Sequence, residues 1–342
     1  MLDDQQYITR FDSDDALGVA AEQFSQLAHG YELDQLSGGN VSRVLVAGMG
    51  GSALAADYIP VIWPEITIPY AVSRSYTLPG WVDGTTLVVI SSYSGNTEEI
   101  LAVLEAAQQR QAQIVVMSSG GALAEQAADH SHPYLQIPSG VQPRMSYLYQ
   151  LKALATILDA WGVTQDAVEQ LQAAGQTLGD IPRQWTASVP TEQNQAKQLA
   201  EHLAGKTPVI YGGILYPAAY KWKISCNENA KNTAWCGQYS EFNHNEFLGW
   251  SSHPIEKPFG VVDLISSFDH PQVQKRFALT DKLLSGKRPK ALQIAAEGES
   301  LLEQLLWVTA LGDMVSIYLA ILNGVNPTPV ELIEKFKKEL TS

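Results

Sequence analysis

The chain has 342 residues, 45% hydrophobic and 17% charged, with a formal net charge of −14. This composition fits a globular protein with about two domains of ~150 residues and excludes a disordered or fibrous chain. A field of that sign repels nucleic acid and anionic membrane, so neither is expected as a partner, and an anionic substrate would need a locally positive site.

The spacing of apolar residues predicts a polar-faced helix over 12–37, then strands near 43–47, 67–72, 86–91, 113–117 and 133–137. Helical patterns at 52–59, 97–110 and 121–128 separate the strands, and a longer one runs over 145–160. Strand and helix alternating at this spacing predict a parallel, doubly wound sheet. Residues 162–192, rich in Gln, Ala, Thr and Pro, read as a helix plus linker. The pattern then restarts with Pro208-Val209-Ile210-Tyr211-Gly212-Gly213, a helix from about Pro217, and strands near 259–266 and 290–295. Leu301 to Leu322 is apolar but carries Glu303, Gln304 and Asp313, which predicts a buried helix rather than a membrane span. Pro329 to Leu340 is an amphipathic helix bearing Lys335, Lys337 and Lys338. Gly50-Gly51 and Gly212-Gly213 hold matching places after a strand, as an internal duplication would leave them. The expected organisation is α/β: a first domain over 1–162, a helix and linker over 163–192, and a second domain over 193–342.

Cys226 and Cys236 stand in no metal or redox spacing, and Met1-Leu2-Asp3-Asp4 lacks the apolar core of a secretion signal. Both features lead to the expectation of a reducing cytoplasm.

Ser92-Tyr93-Ser94-Gly95-Asn96-Thr97 carries the clearest chemistry. It follows the strand Leu87-Val88-Val89-Ile90 and precedes a helix start, so hydroxyl donors meet the unpaired N–H groups and positive dipole end of a helix. Gly95 permits the tight turn. Gly48-Met49-Gly50-Gly51-Ser52 forms a second such turn upstream. Together they form a cradle for the phosphate of a small metabolite. The upstream turn also fits G-x-G-x-x-A with Ala53, but Ser73-Arg74 stands where a ribose-binding acid belongs. Arg74 leaves an NADP oxidoreductase as an alternative reading.

Asn227-Glu228-Asn229-Ala230-Lys231 and Glu241-Phe242-Asn243-His244-Asn245-Glu246 concentrate carboxylates, amides and one imidazole. Metal spacing is absent, whereas a carboxylate that takes a carbon-bound proton and an imidazole that titrates near neutrality suit acid–base work. Arg144, after the last strand of the first domain, reads either as an oxyanion stabiliser or as a surface ion pair.

These segments together resemble the bifunctional phosphoglucose/phosphomannose isomerases, members of the phosphoglucose isomerase superfamily built from two sugar-isomerase (SIS) domains. The resemblance spans most of the chain in the right order. It implies an aldose–ketose isomerase that interconverts glucose 6-phosphate or mannose 6-phosphate with fructose 6-phosphate through a cis-enediolate, with neither cofactor nor metal. It implies that Gly50, Gly51, Ser52, Ser92, Ser94, Gly95 and Thr97 hold the phosphate. Glu228 would then shuttle the proton, and Arg144 would stabilise the enediolate. His244 would open the ring from the partner subunit of a homodimer. Lys337, with Lys335 the alternative, would assist ring opening, and Thr328 would approach C2 and C3. Phe242 stands where relatives carry leucine and is expected to reshape the nearby wall. A non-catalytic sugar-phosphate-binding regulator would keep the phosphate turns but has no need of Glu228, Arg144 and His244 together.

Overall fold

The computed structural model describes residues 1–32, 39–251, 256 and 258–340. The chain divides into two units, residues 23–179 and residues 180–342 together with Met1–Glu22. Residues 1–22 carry α1 (Gln5–Phe11) and α2 (Ala16–Ala21). Both lie on the long helix of the second unit, where Tyr7 Oη donates to the Ile321 carbonyl at 3.3 Å. The boundaries expected from sequence, 162 and 193, sit elsewhere because the segment 167–178 packs on the helix before it.

The unit 23–179 contains, in order, β1 (Arg43–Gly48), α3 (Gly51–Ile62), β2 (Tyr70–Ser73), β3 (Thr86–Ser91) and α4 (Glu98–Gln109). It continues with β4 (Gln113–Ser118), α5 (Gly121–Asp129), β5 (Tyr134–Gln136), α6 (Tyr147–Ala160) and α7 (Ala167–Leu178). All pairings are parallel in the order β2-β1-β3-β4-β5. Central strands β1 and β3 are covered on both faces, which is why Val44-Leu45-Val46-Ala47 and Leu87-Val88-Val89-Ile90 read as continuous apolar runs. Helix α4 buries Ile100, Val103, Leu104 and Ala107, the i, i+3, i+4, i+7 stripe, against Leu45, Val88, Ile90 and Val116.

The expected helix over 12–37 is a correction. Only Ala16–Ala21 is α-helical, followed by a 3-10 stretch over Gln23–Ala28; residues 33–37 of that expectation lie outside the described residues. The Asp12 carboxylate accepts from the N–H groups of Ala16 and Leu17, starting a new turn, and Asp15 sits at φ 54°. The segment is not polar-faced throughout, since Leu17, Ala20, Phe24 and Leu27 are buried.

The second unit adds α8 (Gln195–Leu203), β6 (Thr207–Gly212), α9 (Tyr216–Glu228), β7 (Trp235–Gln238) and a short α10 (Glu246–Gly249). Then come β8 (Phe259–Ile265), α11 (Pro271–Leu283), β9 (Leu292–Ala295), α12 (Leu301–Leu322) and α13 (Glu331–Leu340). Its strands are also all parallel, ordered β7-β6-β8-β9. This repeats the first four places of the other sheet, as the paired Gly-Gly turns suggest. Helix α12 is long and apolar enough to cross a membrane by length and composition, and nearly all of it is buried in this unit. Ser300 and Glu303 form a reciprocal capping box at its start. Strand β7 and helix α11 carry too little periodicity to be legible in sequence.

Candidate active site

In the first unit the two turns expected to hold phosphate follow β1 and β3. The strand order reverses there, so a crevice opens at the carboxyl edge of the sheet. Neither α3 nor α4 has a side-chain cap; the N–H groups of Ser52, Ala53 and Ile100 donate to the carbonyls of Met49, Gly50 and Thr97, so an anion would meet the N–H groups ahead of these. The turns brace each other. Tyr93 N–H donates to Ser52 Oγ at 2.8 Å, Ser91 Oγ donates to the Ser52 carbonyl at 2.9 Å, and Ser92 Oγ pairs with Thr97 Oγ1 at 2.7 Å. Ser52 and Ser92 are buried while Ser94 is exposed. Gly95 has φ 69°, and a Cβ there would lie 1.7 Å from the Gly120 carbonyl oxygen, so only glycine fits.

Gly51 is required for a different reason. A Cβ there would meet the backbone of Pro143 and Arg144 at 2.9–3.0 Å, because the 3-10 turn Pro143–Met145 presses on the start of α3. This contact sets the backbone of Arg144 against the turn that follows β1. The arginine is 1% exposed, so the surface-ion-pair reading does not hold. Arg74 is committed elsewhere, to Asp57 at 2.5 Å and the Ala53 carbonyl at 3.4 Å, both on α3. That geometry removes the support for an NADP reading.

In the second unit the corresponding carboxyl-edge crevice is already filled. The Asp269 carboxylate, 4% exposed, accepts from Ile214 N–H at 2.7 Å and Ser266 N–H at 3.0 Å, and a Cβ on Gly213 would collide with it at 2.1 Å. An internal carboxylate thus takes the two N–H donors that an anion would use there, and burial raises its pKa.

The candidate chemistry of this unit lies instead at the amino edge. Helix α9 runs back from the end of β6 and finishes with Asn227 and Glu228, so these residues belong to the helix rather than lying beyond it. Glu228 lines a cavity of about 800 Å³ with Asn227, Lys231, Trp235, Asn326 and Ile333. Its volume falls in the range of small-molecule sites. The amide-rich composition has a structural cause here: the Asn227 side chain accepts from Ala234 N–H at 3.0 Å, Asn229 donates to Ser316 Oγ at 2.8 Å, and Asn323 donates to the Ala230 carbonyl at 3.0 Å. Lys231 donates to the carbonyls of Asn229, Asn326 and Pro327, which ties the end of α9 to the loop carrying Thr328.

His244 lies in a 3-10 turn, Glu241–His244, that follows β7 at the carboxyl edge. Its neighbours anchor the turn. Asn243 donates to Thr280 Oγ1 at 3.0 Å and accepts from Arg276 at 3.2 Å, and Glu246 receives the Tyr211 hydroxyl. His244 itself is exposed. Phe242 corrects an expectation: it is 2% exposed, packed with Tyr211 and Tyr239 at ring separations of 4.6 and 5.1 Å, and forms core rather than an open wall. Lys335, Lys337 and Lys338 are exposed on α13, beyond the Glu331–Ile333 stretch that bounds the cavity.

Two buried polar groupings escaped sequence reasoning. Lys221 of α9 pairs with Asp313 of α12, and Ser225 bridges them, accepting from the lysine and donating to the carboxylate at 2.8 Å each. Beneath the His244 turn, Asp263 and Arg288 lie 3.8 Å apart, both buried. Lone polar residues within apolar runs give no sequence signal of their partners.

Comparison with known proteins extends the likeness to the whole chain. The family described as bacterial phospho-glucose isomerase C-terminal SIS domain matches residues 192–340. The bifunctional phosphoglucose/phosphomannose isomerase of Caldicellulosiruptor bescii is 36% identical over 88% of this chain and 90% of its own length. The enzyme of the same name from Aquifex aeolicus is 33% identical over 87% and 90%. A glucose-6-phosphate isomerase like protein from Thermus thermophilus, 19% identical, shares the fold with a TM-score of 0.66 over 98% of both chains.

Proposed function

The chain belongs to the bifunctional phosphoglucose/phosphomannose isomerase family, and on that footing we propose that it interconverts glucose 6-phosphate and mannose 6-phosphate with fructose 6-phosphate. The reaction is an aldose–ketose isomerisation. In our assignment Ser52, Ser92, Ser94 and Thr97, with the N–H groups starting α3 and α4, hold the phosphate. Glu228 removes the proton from C2 of the aldose. The C–H electron pair becomes the C1–C2 double bond, and the C1 carbonyl oxygen becomes an oxyanion, whose stabilisation is assigned to Arg144. The C2 hydroxyl proton passes to the C1 oxygen, the C2–O bond becomes the carbonyl, and return of the abstracted proton to C1 completes the ketose. Glucose and mannose 6-phosphates differ only at C2, so both lead to one enediolate. A preorganised donor at the oxyanion contributes ~3 kcal/mol. His244 and Lys337 move protons during ring opening, and Thr328 approaches C2 and C3.

The observation that carries the assignment is Glu228 lining a cavity of about 800 Å³ at the end of α9. We further assign His244 to a second copy of the chain. Topology supports this: β6 and β7 run parallel, α9 returns to the amino end of β7, and His244 follows its carboxyl end. Glu228, at the end of α9, and His244, after β7, thus lie toward opposite edges of this sheet. A reducing cytoplasm fits Cys226, buried, and Cys236, half-buried, both free of disulfides.

Fructose 6-phosphate incubated in D2O with EDTA-treated protein tests the reading by NMR. Both aldoses appear, with deuterium at C2 to the extent that the proton held by Glu228 exchanges with solvent. Glu228→Gln abolishes this turnover and keeps affinity for a phosphate ligand. Near-normal turnover in that variant removes Glu228 as the base; tight sugar-phosphate binding without product in the wild type favours the regulator. Mixing Glu228→Gln with His244→Ala chains restores activity if the site is shared between copies, and no restoration refutes the sharing.

A further inference from the structure

Lys231 closes the motif that carries the proposed base, yet the reaction as assigned gives it no step. Its backbone is left-handed, φ 50°, a conformation that costs an L-residue ~1–2 kcal/mol and persists where surrounding bonds hold it. Among the bonds that hold this stretch are those of its own ammonium. The Nζ lies 3.2 Å from the Asn229 carbonyl, 2.6 Å from that of Asn326 and 3.2 Å from that of Pro327. An ammonium has three donors, and three backbone carbonyls receive them. Asn229 directly follows Glu228, while Asn326 and Pro327 directly precede Thr328. One cation therefore joins the helix end bearing the base to the loop bearing Thr328.

The loop is fixed on its other side as well. Asn326 Nδ2 donates to Asp14 Oδ2 at 2.8 Å and Ser13 Oγ at 3.2 Å, and its Oδ1 accepts from Thr328 N–H at 2.9 Å. We propose that Lys231 is a positioning residue that sets the spacing of Glu228 and Thr328 and thereby the partition between the two C2 epimers. This rests on the isomerase reading. One base must serve two opposite configurations at C2, so a small displacement of the base relative to the group facing C2 and C3 changes one barrier more than the other.

The test is the ratio of mannose 6-phosphate to glucose 6-phosphate formed initially from fructose 6-phosphate. Both products come from the same molecules in one sample, so loss of folded protein leaves the ratio unchanged. Lys231→Met is expected to shift it ~5-fold or more, well inside the ~100-fold that an ångström of misplacement costs, with KM nearly unchanged. Lys231→Arg, which keeps charge and donors, restores part of the wild-type ratio. Asn326→Ala loosens the same loop without touching Lys231 and keeps the test available if Lys231→Met does not fold; it shifts the ratio in the same sense. An unmoved ratio in folded Lys231→Met, or in Asn326→Ala should the first not fold, overturns the proposal. A wild-type protein that forms neither aldose overturns the isomerase reading itself.

Discussion

Replacing Lys221 by methionine leaves the Asp313 carboxylate in the interior without its countercharge. The two side chains are 1% and 0% exposed, and Ser225 Oγ continues to donate to Asp313 Oδ1 at 2.8 Å, so one hydrogen bond survives the change. Breaking a buried ion pair from one side costs ~3–5 kcal/mol, and the surviving hydroxyl puts Lys221→Met near the lower end, at ~3 kcal/mol. For a unit of this size each kcal/mol lowers Tm by ~2–4 °C, which gives a fall of ~6–12 °C. Lys221→Met combined with Asp313→Leu removes both charges and is expected within ~1 kcal/mol of the wild type, because the uncompensated charge rather than lost volume carries the penalty. Urea unfolding of the single and double variants measures both quantities. A single variant within ~0.5 kcal/mol of the wild type refutes the buried-charge argument. A double variant as unstable as the single one refutes it differently, by assigning the loss to packing. Glu228 lies two turns along α9 from Lys221, so kcat of the double variant also reports whether this pair sets the register of the helix that carries the base.

Gly51→Ala forces the Pro143–Met145 turn away from α3, since its Cβ would sit 2.9 Å from the Pro143 carbonyl carbon. A stability loss of ~1–3 kcal/mol and a lower kcat/KM for fructose 6-phosphate are expected, the second because Arg144 moves with its backbone. Wild-type stability together with wild-type kcat/KM contradicts that coupling. Asp263 governs a pH dependence: burial pushes its pKa up from 3.8 to about 7, against the pull of Arg288. Folding therefore takes up a proton between about pH 4 and pH 7, so this group's contribution is full below about pH 4 and lost as pH rises through about 7. Asp263→Asn removes the proton uptake. The wild type's stability relative to the variant should fall by at most ~1.4 kcal/mol per pH unit across that window, and an offset independent of pH from 5 to 8 refutes the assignment.

The order of strands and helices was readable from residues because parallel strands covered on both faces must be continuous apolar runs and their helices must carry an apolar stripe. β1, β3, β4, β6 and β8 and the helices between them satisfy that rule locally, so Leu87 to Ile90 and Ile100 to Ala107 announce themselves. The turn expected to hold phosphate was equally local, since a glycine, hydroxyls and a helix start all fall within Ser92 to Thr97. What sequence could not supply was which residues face one another across the fold. Arg144 reads either as an oxyanion stabiliser or as a surface ion pair, and only its burial, with the backbone of its turn against Gly51, removes the second reading. Phe242 reads as a wall residue until Tyr211 and Tyr239 surround it. Asp269, 55 residues from Ile214, takes the corner that the duplication would otherwise leave for an anion. Lys231 reaches Asn326 across 95 residues of chain. Hydrogen bonds and buried charges depend on distances of a few ångströms between segments remote in sequence, and only the packed chain sets those distances. Composition and periodicity therefore determine the architecture and the local strand–turn–helix turns, whereas the tertiary structure decides which polar residues are buried and which hold the backbone in place.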